Sequence, residues 1–380
     1  MKHEKAVVCL QVLCPSKAQF VLICWSMRMI SWAFTPVVCI SGLIFEALIR
    51  LRSGLYAATL LPQHRLPGPV ISIGNITMGG SGKTPLVIYV AQTLLKFDCT
   101  PVVLSRGYGR SRPGKSWILP PWKTVPSPAR VLGDEPALAR RRIPAAWMGI
   151  SRNRFRAGCI IAKEEPSTVF LLDDGFQHRK LHRDLDIVVI DRSQPLRANR
   201  MLPRGTLREP VSELRRCHVV VINGVREKKD APDPLEMEIR SLNPKVLIFH
   251  CTQSIQKLIP FPIWKEGQQV PDPSPAARSA YLVSALGNPE RFHRDVLRLG
   301  IEIRGTRAFP DHRWIEREDW LACAVDARRK AVDAIITTEK DAVKIFQPPD
   351  FPLLVSVQTT EISDASAFEQ VLKNCVAGDL

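Results

Sequence analysis

Short apolar runs, each bounded by turn residues or charges, recur along most of this chain. Pro69–Ile73 reads as a buried strand and Leu86–Leu95 as a helix. Further strand-like runs follow at Pro101–Leu104, Thr168–Leu172, Asp186–Ile190, His218–Ile222 and Val246–Phe249, separated by helix-like segments. Apolar runs this short, with little polar alternation, predict a mostly parallel sheet covered by helices on both faces. Residues 111–128, rich in Pro, Ser and Trp, read as a loop, and the proline-rich stretch 259–278 as a linker. Beyond it the pattern restarts with strand Ala280–Leu286, helix Pro289–Leu299, strand Ile301–Ala308, helix Glu316–Lys330 and strands Ala334–Thr338 and Pro352–Val357. The expected architecture is α/β: an N-terminal extension (1–60), a P-loop-type domain (61–258), a linker (259–278) and a smaller α/β domain (279–380).

The first 60 residues differ. Met29–Phe45 contains no charge, nor does Ala18–Met27, and Arg28 stands between them. Seventeen helical residues span roughly 25 Å, short of a hydrocarbon core of about 30 Å. Pro36 would kink such a helix, and Lys17, Arg50 and Arg52 flank the region. An interfacial membrane anchor is the favoured reading, with a single spanning helix and a buried core helix as alternatives. No cleaved signal peptide is expected.

A net charge of +16 and a pI near 9.6 favour anionic partners such as nucleotides or phospholipid surfaces. Only 7% of residues are aromatic and no nucleic-acid-binding signature is present, so nucleic acid is not expected as a partner. Ten cysteines are scattered without a C-x-x-C pair, which argues against a disulfide framework or zinc site and for a reducing compartment.

The chemistry concentrates between the first strand and its helix, in Gly74-Asn-Ile-Thr-Met-Gly-Gly-Ser-Gly-Lys-Thr-Pro85. A glycine-rich turn between strand and helix, ending Gly-Lys-Thr, is a phosphate cradle. Backbone N–H groups close around the oxyanions, the helix N-terminus and Lys83 add positive charge, and the Thr84 hydroxyl can hold Mg²⁺. The strict P-loop pattern requires glycine at position 77, where this chain has Thr77, so the loop is a variant. Thr77, Met78, Gly79, Gly80, Ser81, Gly82, Lys83 and Thr84 are the nucleotide-binding candidates.

Four other polar clusters fall where strands should end, the edge at which open α/β sheets bind ligands. They are Ser105–Arg110, Gly133–Pro136, Asp173–Arg179 and Met201–Pro210. Paired acids after an apolar strand, Asp173-Asp174, fit a Mg²⁺-holding element; a turn plus helix cap is the plainer alternative. Asp134 and Glu135 could equally be first-turn helix acids. Arginines at 106, 110, 140–142, 152, 154 and 156 could clamp phosphates or form a solvated face. In the second unit, Phe309–Trp314 and Thr337–Lys344 are polar at strand ends.

Together these segments resemble the tetraacyldisaccharide 4'-kinase family, in the family's order, from about residue 30 to about 357. The likeness rests on Gly79–Pro85, Ser105–Gly109, Gly133–Pro136, Asp173–Arg179, Leu202–Pro210, Phe309, Asp311-His312 and Thr337–Asp341. The glycine-shifted loop is itself that family's form. The resemblance implies a kinase that phosphorylates, from ATP with Mg²⁺, the 4'-hydroxyl of a tetraacylated glucosamine disaccharide 1-phosphate. It implies a monomer, monotopic or peripheral, on the cytoplasmic face of the inner membrane. Asp134, supported by His312 of the second domain, is then the general base beside Lys83; Thr84 with Glu135 or Asp173 holds Mg²⁺; Asn75, Arg106, Asp174, His178, Arg204 and Arg208 serve the lipid substrate. The competing reading is a membrane-attached P-loop ATPase or nucleotide switch with no lipid substrate.

Overall fold

The computed structural model describes residues 39–111, 114–125, 127–194, 196, 199–225, 232–267 and 277–379. The apolar run Ala18–Met27 and the first part of Met29–Phe45 lie outside them.

Twelve strands form one sheet. In chain order they are β1 (Val70–Gly74), β2 (Thr100–Ser105), β3 (Trp117–Leu119), β4 (Trp147–Ile150), β5 (Thr168–Asp173), β6 (Leu185–Asp191), β7 (Val219–Asn223), β8 (Leu247–Pro260), β9 (Ser279–Ser284), β10 (Glu302–Ala308), β11 (Ala334–Thr338) and β12 (Leu353–Ile362). Their spatial order is β10-β9-β11-β12-β8-β7-β6-β1-β5-β2-β4-β3. All pairings are parallel except β8 with β12 and β3 with β4. Residues 111–128, expected to be loop, thus contain an edge strand.

Alternation along the central strands shows both faces covered. On β6, Ile187 and Val189 pack on one side with Leu86, Leu94 and Phe368, while Val188 and Ile190 pack on the other with Phe176 and Leu214. The first side is covered by α2 (Lys83–Lys96), α4 (Asp134–Arg142) and α11 (Ala365–Ala377). The opposite side carries α5 (Arg154–Glu164) and α6 (Pro234–Leu242). A helix over residues 39–57, α1, lays Phe45 and Ile49 against that side as well.

Strand β8 decides the architecture. Its first five residues pair in parallel with β7, Val219↔Leu247 to Asn223↔Cys251. From Cys251 to Pro260 it pairs instead with β12, antiparallel, Ile362↔Cys251 to Leu354↔Pro260. Nine residues of extended chain carry β8 roughly 30 Å past the end of β7. The second set of strands hangs from this extension and points back. Its carboxyl ends therefore face those of the first set across a gap.

Two expectations change here. Residues 259–266 are not linker: they finish β8 and form α7 (Phe261–Glu266), whose Phe261 and Trp264 join the core of the second unit. Residues 268–276 of that stretch lie outside the described residues. Nor does the chain end in the second unit. Phe368, Leu372 and Cys375 of α11 are buried in the core beside the P-loop helix, because β12 runs down β8 and delivers the chain back there.

Candidate active site

The gap between the opposed carboxyl edges is a cleft of about 790 Å³. From the first unit it is lined by the turn after β1, Ser105–Tyr108 after β2, Glu135 and the pair after β5; from the second by Leu286–Asn288, Asp311, His312 and Thr338–Lys340.

The turn 75–82 is held from below. Asn75 Nδ2 donates to Ser81 Oγ at 3.0 Å, Asn223 Nδ2 to the Ser81 carbonyl at 2.8 Å and Gln253 Nε2 to the Gly82 carbonyl at 2.9 Å. With its carbonyls tied down, the loop is free to turn N–H groups toward the cleft. Gly82 caps α2 at φ 89°, and a Cβ there would collide with the amides of Asn223 and Gln253, so only glycine suits the position. No motif advertises Asn223 and Gln253; the first directly follows an apolar run and the second lies four residues past another, and the β7–β8 pairing brings both under the loop.

Lys83 Nζ lies 3.5 Å from Asp174 Oδ1, and Arg208 grips the same carboxylate at 2.8 and 3.0 Å. Burial would raise the Asp174 carboxyl, but Lys83 and Arg208 outweigh it and hold it below its ordinary value. Asp173 is different. It is buried, accepts a 3.0 Å hydrogen bond from Ser105 Oγ, and faces the charges of Glu135 and Asp174. Burial first, then those two carboxylates, push it up to about 7. An acidic corner with Thr84 on the cleft wall nearby fits the oxygen-donor chemistry that Mg²⁺ requires.

Across the cleft, His312 Nδ1 donates to Asp134 Oδ2 at 2.9 Å, joining residues 178 positions apart. Asp134 opens α4 after Gly133, and His312 sits at φ 61° in the turn after β10. Lys340 Nζ stands 3.1 Å from Asp311, 3.5 Å from Glu135 and 3.4 Å from His312 Nε2; Lys344 stands 3.9 Å from Asp134. Burial acts to raise the Asp134 carboxyl, but His312 and the two lysines bring it below its ordinary value. Burial likewise acts against the charged imidazole, yet Asp134 raises His312 above its own. The pairing thus favours the ionised Asp134 carboxylate and the protonated His312 imidazole.

Several residues expected at the site stand apart from the cleft lining. Thr77 is buried and bridges to Leu207 of the 201–208 loop. Asn75 is fully buried under the P-loop and braces it. Arg204 is exposed, its stem against Gly42 of α1. His178 lies outside the lining, and burial together with Arg154 and its basic neighbours pushes it down to about 4, so it is neutral. Met78, Gly79, Gly80, Ser81, Gly82, Lys83, Thr84, Arg106, Glu135, Asp173, Asp174, Arg208 and His312 do line the cleft. Arg154, given above as a clamp or a surface residue, is buried and donates to the Asp174 carbonyl at 3.3 Å.

A phosphate-cradling loop on one carboxyl edge, and a histidine reaching from the other edge to the Asp134 carboxylate of the loop's own unit, are the parts of a P-loop phosphotransferase. Comparison with known proteins narrows the class. The family described as Tetraacyldisaccharide-1-P 4'-kinase matches residues 32–377. The tetraacyldisaccharide 4'-kinase of Chlorobium luteolum is 34% identical over 312 residues, 81% of this chain and 86% of that protein. That of Desulfotalea psychrophila is 31% identical over 337 residues, 88% and 94% of the two chains. A crystal structure of LpxK from Aquifex aeolicus in complex with ATP superposes with a TM-score of 0.71 at 27% identity, covering 90% of this chain and 99% of that one. The chain belongs to the tetraacyldisaccharide 4'-kinase family, and it is a kinase.

Proposed function

We propose that the enzyme transfers the γ-phosphoryl group of ATP to the 4'-hydroxyl of a tetraacylated glucosamine disaccharide 1-phosphate at the cytoplasmic face of the inner membrane. The observation that carries this reading is that Lys83 and its glycine-rich loop share one cleft with His312, which reaches from the opposite unit to the buried Asp134 carboxylate.

The loop N–H groups and Lys83 bind the β- and γ-phosphates. Thr84 with Asp173 or Glu135 would hold Mg²⁺, whose chemistry there would be to offset the negative charge of the transferring group. Asp134 accepts the hydroxyl proton as the sugar oxygen bonds the γ-phosphorus and the β–γ bridge breaks, releasing ADP. His312 and the two lysines keep the Asp134 carboxylate ionised at some cost in basicity, and the His312 hydrogen bond fixes its orientation. Arg106 and Arg208, on the cleft wall, suit the anionic parts of the reactants. One chain supplies both walls, so a monomer suffices.

The lipid end is served by α1. Its inner residues Phe45, Ile49 and Arg52 line the cleft, while Ile40, Leu43, Ile44, Leu48 and Leu51 are each 55–60% exposed on the outer face. A helix apolar on both sides can lie in a bilayer interface and guide acyl chains toward the cleft. Among the described residues no helix is long and apolar enough to cross a membrane. The switch reading is disfavoured, since the family match spans residues 32–377 and so includes both units.

ATP turnover with and without the detergent-dispersed disaccharide 1-phosphate tests the assignment. Lipid-dependent ADP release and a bis-phosphorylated product are expected. ATP hydrolysis indifferent to lipid, with no phosphate gained by the disaccharide, would sink it.

A further inference from the structure

The second unit reaches the phosphate loop at a place distinct from the Asp134–His312 crossing. Helix α8 (Pro289–Leu297) begins at Asn288, whose side chain caps it by accepting from the Arg291 N–H at 3.1 Å. Just before it, Gly287 comes so close to the loop that a Cβ would lie 3.6 Å from the Gly80 nitrogen. One turn into the helix, Arg291 lines the cleft together with Gly79–Lys83. Its Nη2 donates to Asn223 Oδ1 at 3.2 Å, and Asn223 is the residue that holds the Ser81 carbonyl. Asp295 steadies the other flank, 3.9 Å from Nε.

We propose that Arg291 is a further catalytic cation of this kinase, carried to the loop by the second unit to contact the β- or γ-phosphate of the nucleotide. This rests on the kinase reading above. The guanidinium has five N–H donors, and among the described residues only Nη2 has a hydrogen-bond acceptor. The remaining donors border the space in which the loop amides and Lys83 gather phosphate oxygens. An arginine so placed neutralises charge that accumulates as the bond from the γ-phosphorus to the bridging oxygen breaks, a contribution of about 10³-fold or more where it has been isolated. Because Arg291 belongs to the second unit, its arrival depends on how the two edges close. Lys83 moves with the loop and carries no such information.

The test compares Arg291→Gln, Arg291→Lys and Asn223→Ser in kcat, KM for ATP, and affinity for a fluorescent ADP. Arg291→Gln is expected to lose about 10²-fold or more in kcat with ADP affinity within about threefold of wild type. Arg291→Lys, which keeps the charge on a slightly shorter side chain, should recover part of that loss. Asn223→Ser breaks the brace but leaves the cation, and should weaken ADP binding instead. A wild-type kcat in Arg291→Gln, or a loss residing wholly in ADP affinity and matched by Asn223→Ser, would overturn the proposal. Should wild type fail to phosphorylate the disaccharide, the substrate reading fails by itself, and the basal ATP hydrolysis of the same variants still decides the role of Arg291.

Discussion

Asp134 and Asp173 are the same side chain, both buried in the first unit, and their surroundings drive them in opposite directions. Asp134 gains cations from the other unit: His312 at 2.9 Å, Lys344 at 3.9 Å, and Lys340 close by. Its carboxyl falls below its ordinary value despite burial. Asp173 has a single hydroxyl partner, Ser105, and two carboxylate neighbours, and rises to about 7. At Asp134 the second unit's cations outweigh burial; at Asp173 burial and two carboxylates outweigh the Arg154 charge, an arrangement that suits a divalent cation. Burial alone predicts the rise of Asp173 but not the fall of Asp134. The sign follows from whether neighbouring cations outweigh burial, and at Asp134 those cations come from the opposing unit.

The largest effect should come from breaking the Asp134–His312 pair. Asp134→Ala is expected to lower kcat about 10³-fold with little change in ATP affinity, and His312→Ala somewhat less. If the two act as one unit, the double variant is no worse than Asp134→Ala; fully multiplicative losses would separate them. A wild-type rate in Asp134→Ala would move the base elsewhere, Asp173 and Asp174 being next in line.

Lys83→Ala removes the cation shared by the phosphates and Asp174, and should lose about 10²-fold. Near-normal turnover at saturating ATP would contradict the cradle. The contrast between the two carboxyls is sharpened by Mg²⁺ titration. Asp173→Asn should raise the Mg²⁺ concentration for half-maximal rate at least about tenfold, by analogy with other losses at metal sites. Asp134→Asn should leave that concentration nearly unchanged; equal shifts would erase the distinction.

A smaller effect concerns stability. His312 has a raised pKa, so its share of the pairing is complete below the ordinary imidazole value of 6.5 and is lost as pH rises through the raised value. Asp134 has a lowered pKa, so its share is present above the ordinary 3.8 and is lost as pH falls through the lowered value. The Tm penalty of His312→Ala should therefore be greatest between about pH 4 and 6.5 and shrink above the raised imidazole value. A penalty constant to pH 10 would show that packing, such as the ring contact with Tyr108 at 5.0 Å, carries the effect.

The smallest change to chemistry should follow from Leu43→Ser with Leu48→Ser on the outer face of α1. Binding to anionic vesicles should weaken, with kcat on dispersed substrate within about twofold. Undiminished vesicle binding would contradict the interfacial role.

Much of this molecule was legible along the chain. Buried strands of five to seven apolar residues, and a glycine turn between strand and helix, are local patterns, because burial on both faces and phosphate-loop geometry constrain neighbouring residues directly. Asp173 and Asp174 were readable for the same reason: they end such a strand. What the chain by itself could not settle was direction and distance. The prolines after residue 258 suggested a linker, yet β8 continues through them, since Pro260 ends its strand and needs to donate nothing there. Only the antiparallel junction of β8 with β12 turns two carboxyl edges toward each other. That turn brings Arg291 to Asn223, Lys340 to Glu135 and His312 to Asp134. These contacts have no sequence period, because the residues that make them lie on different units and meet only when the sheet is complete.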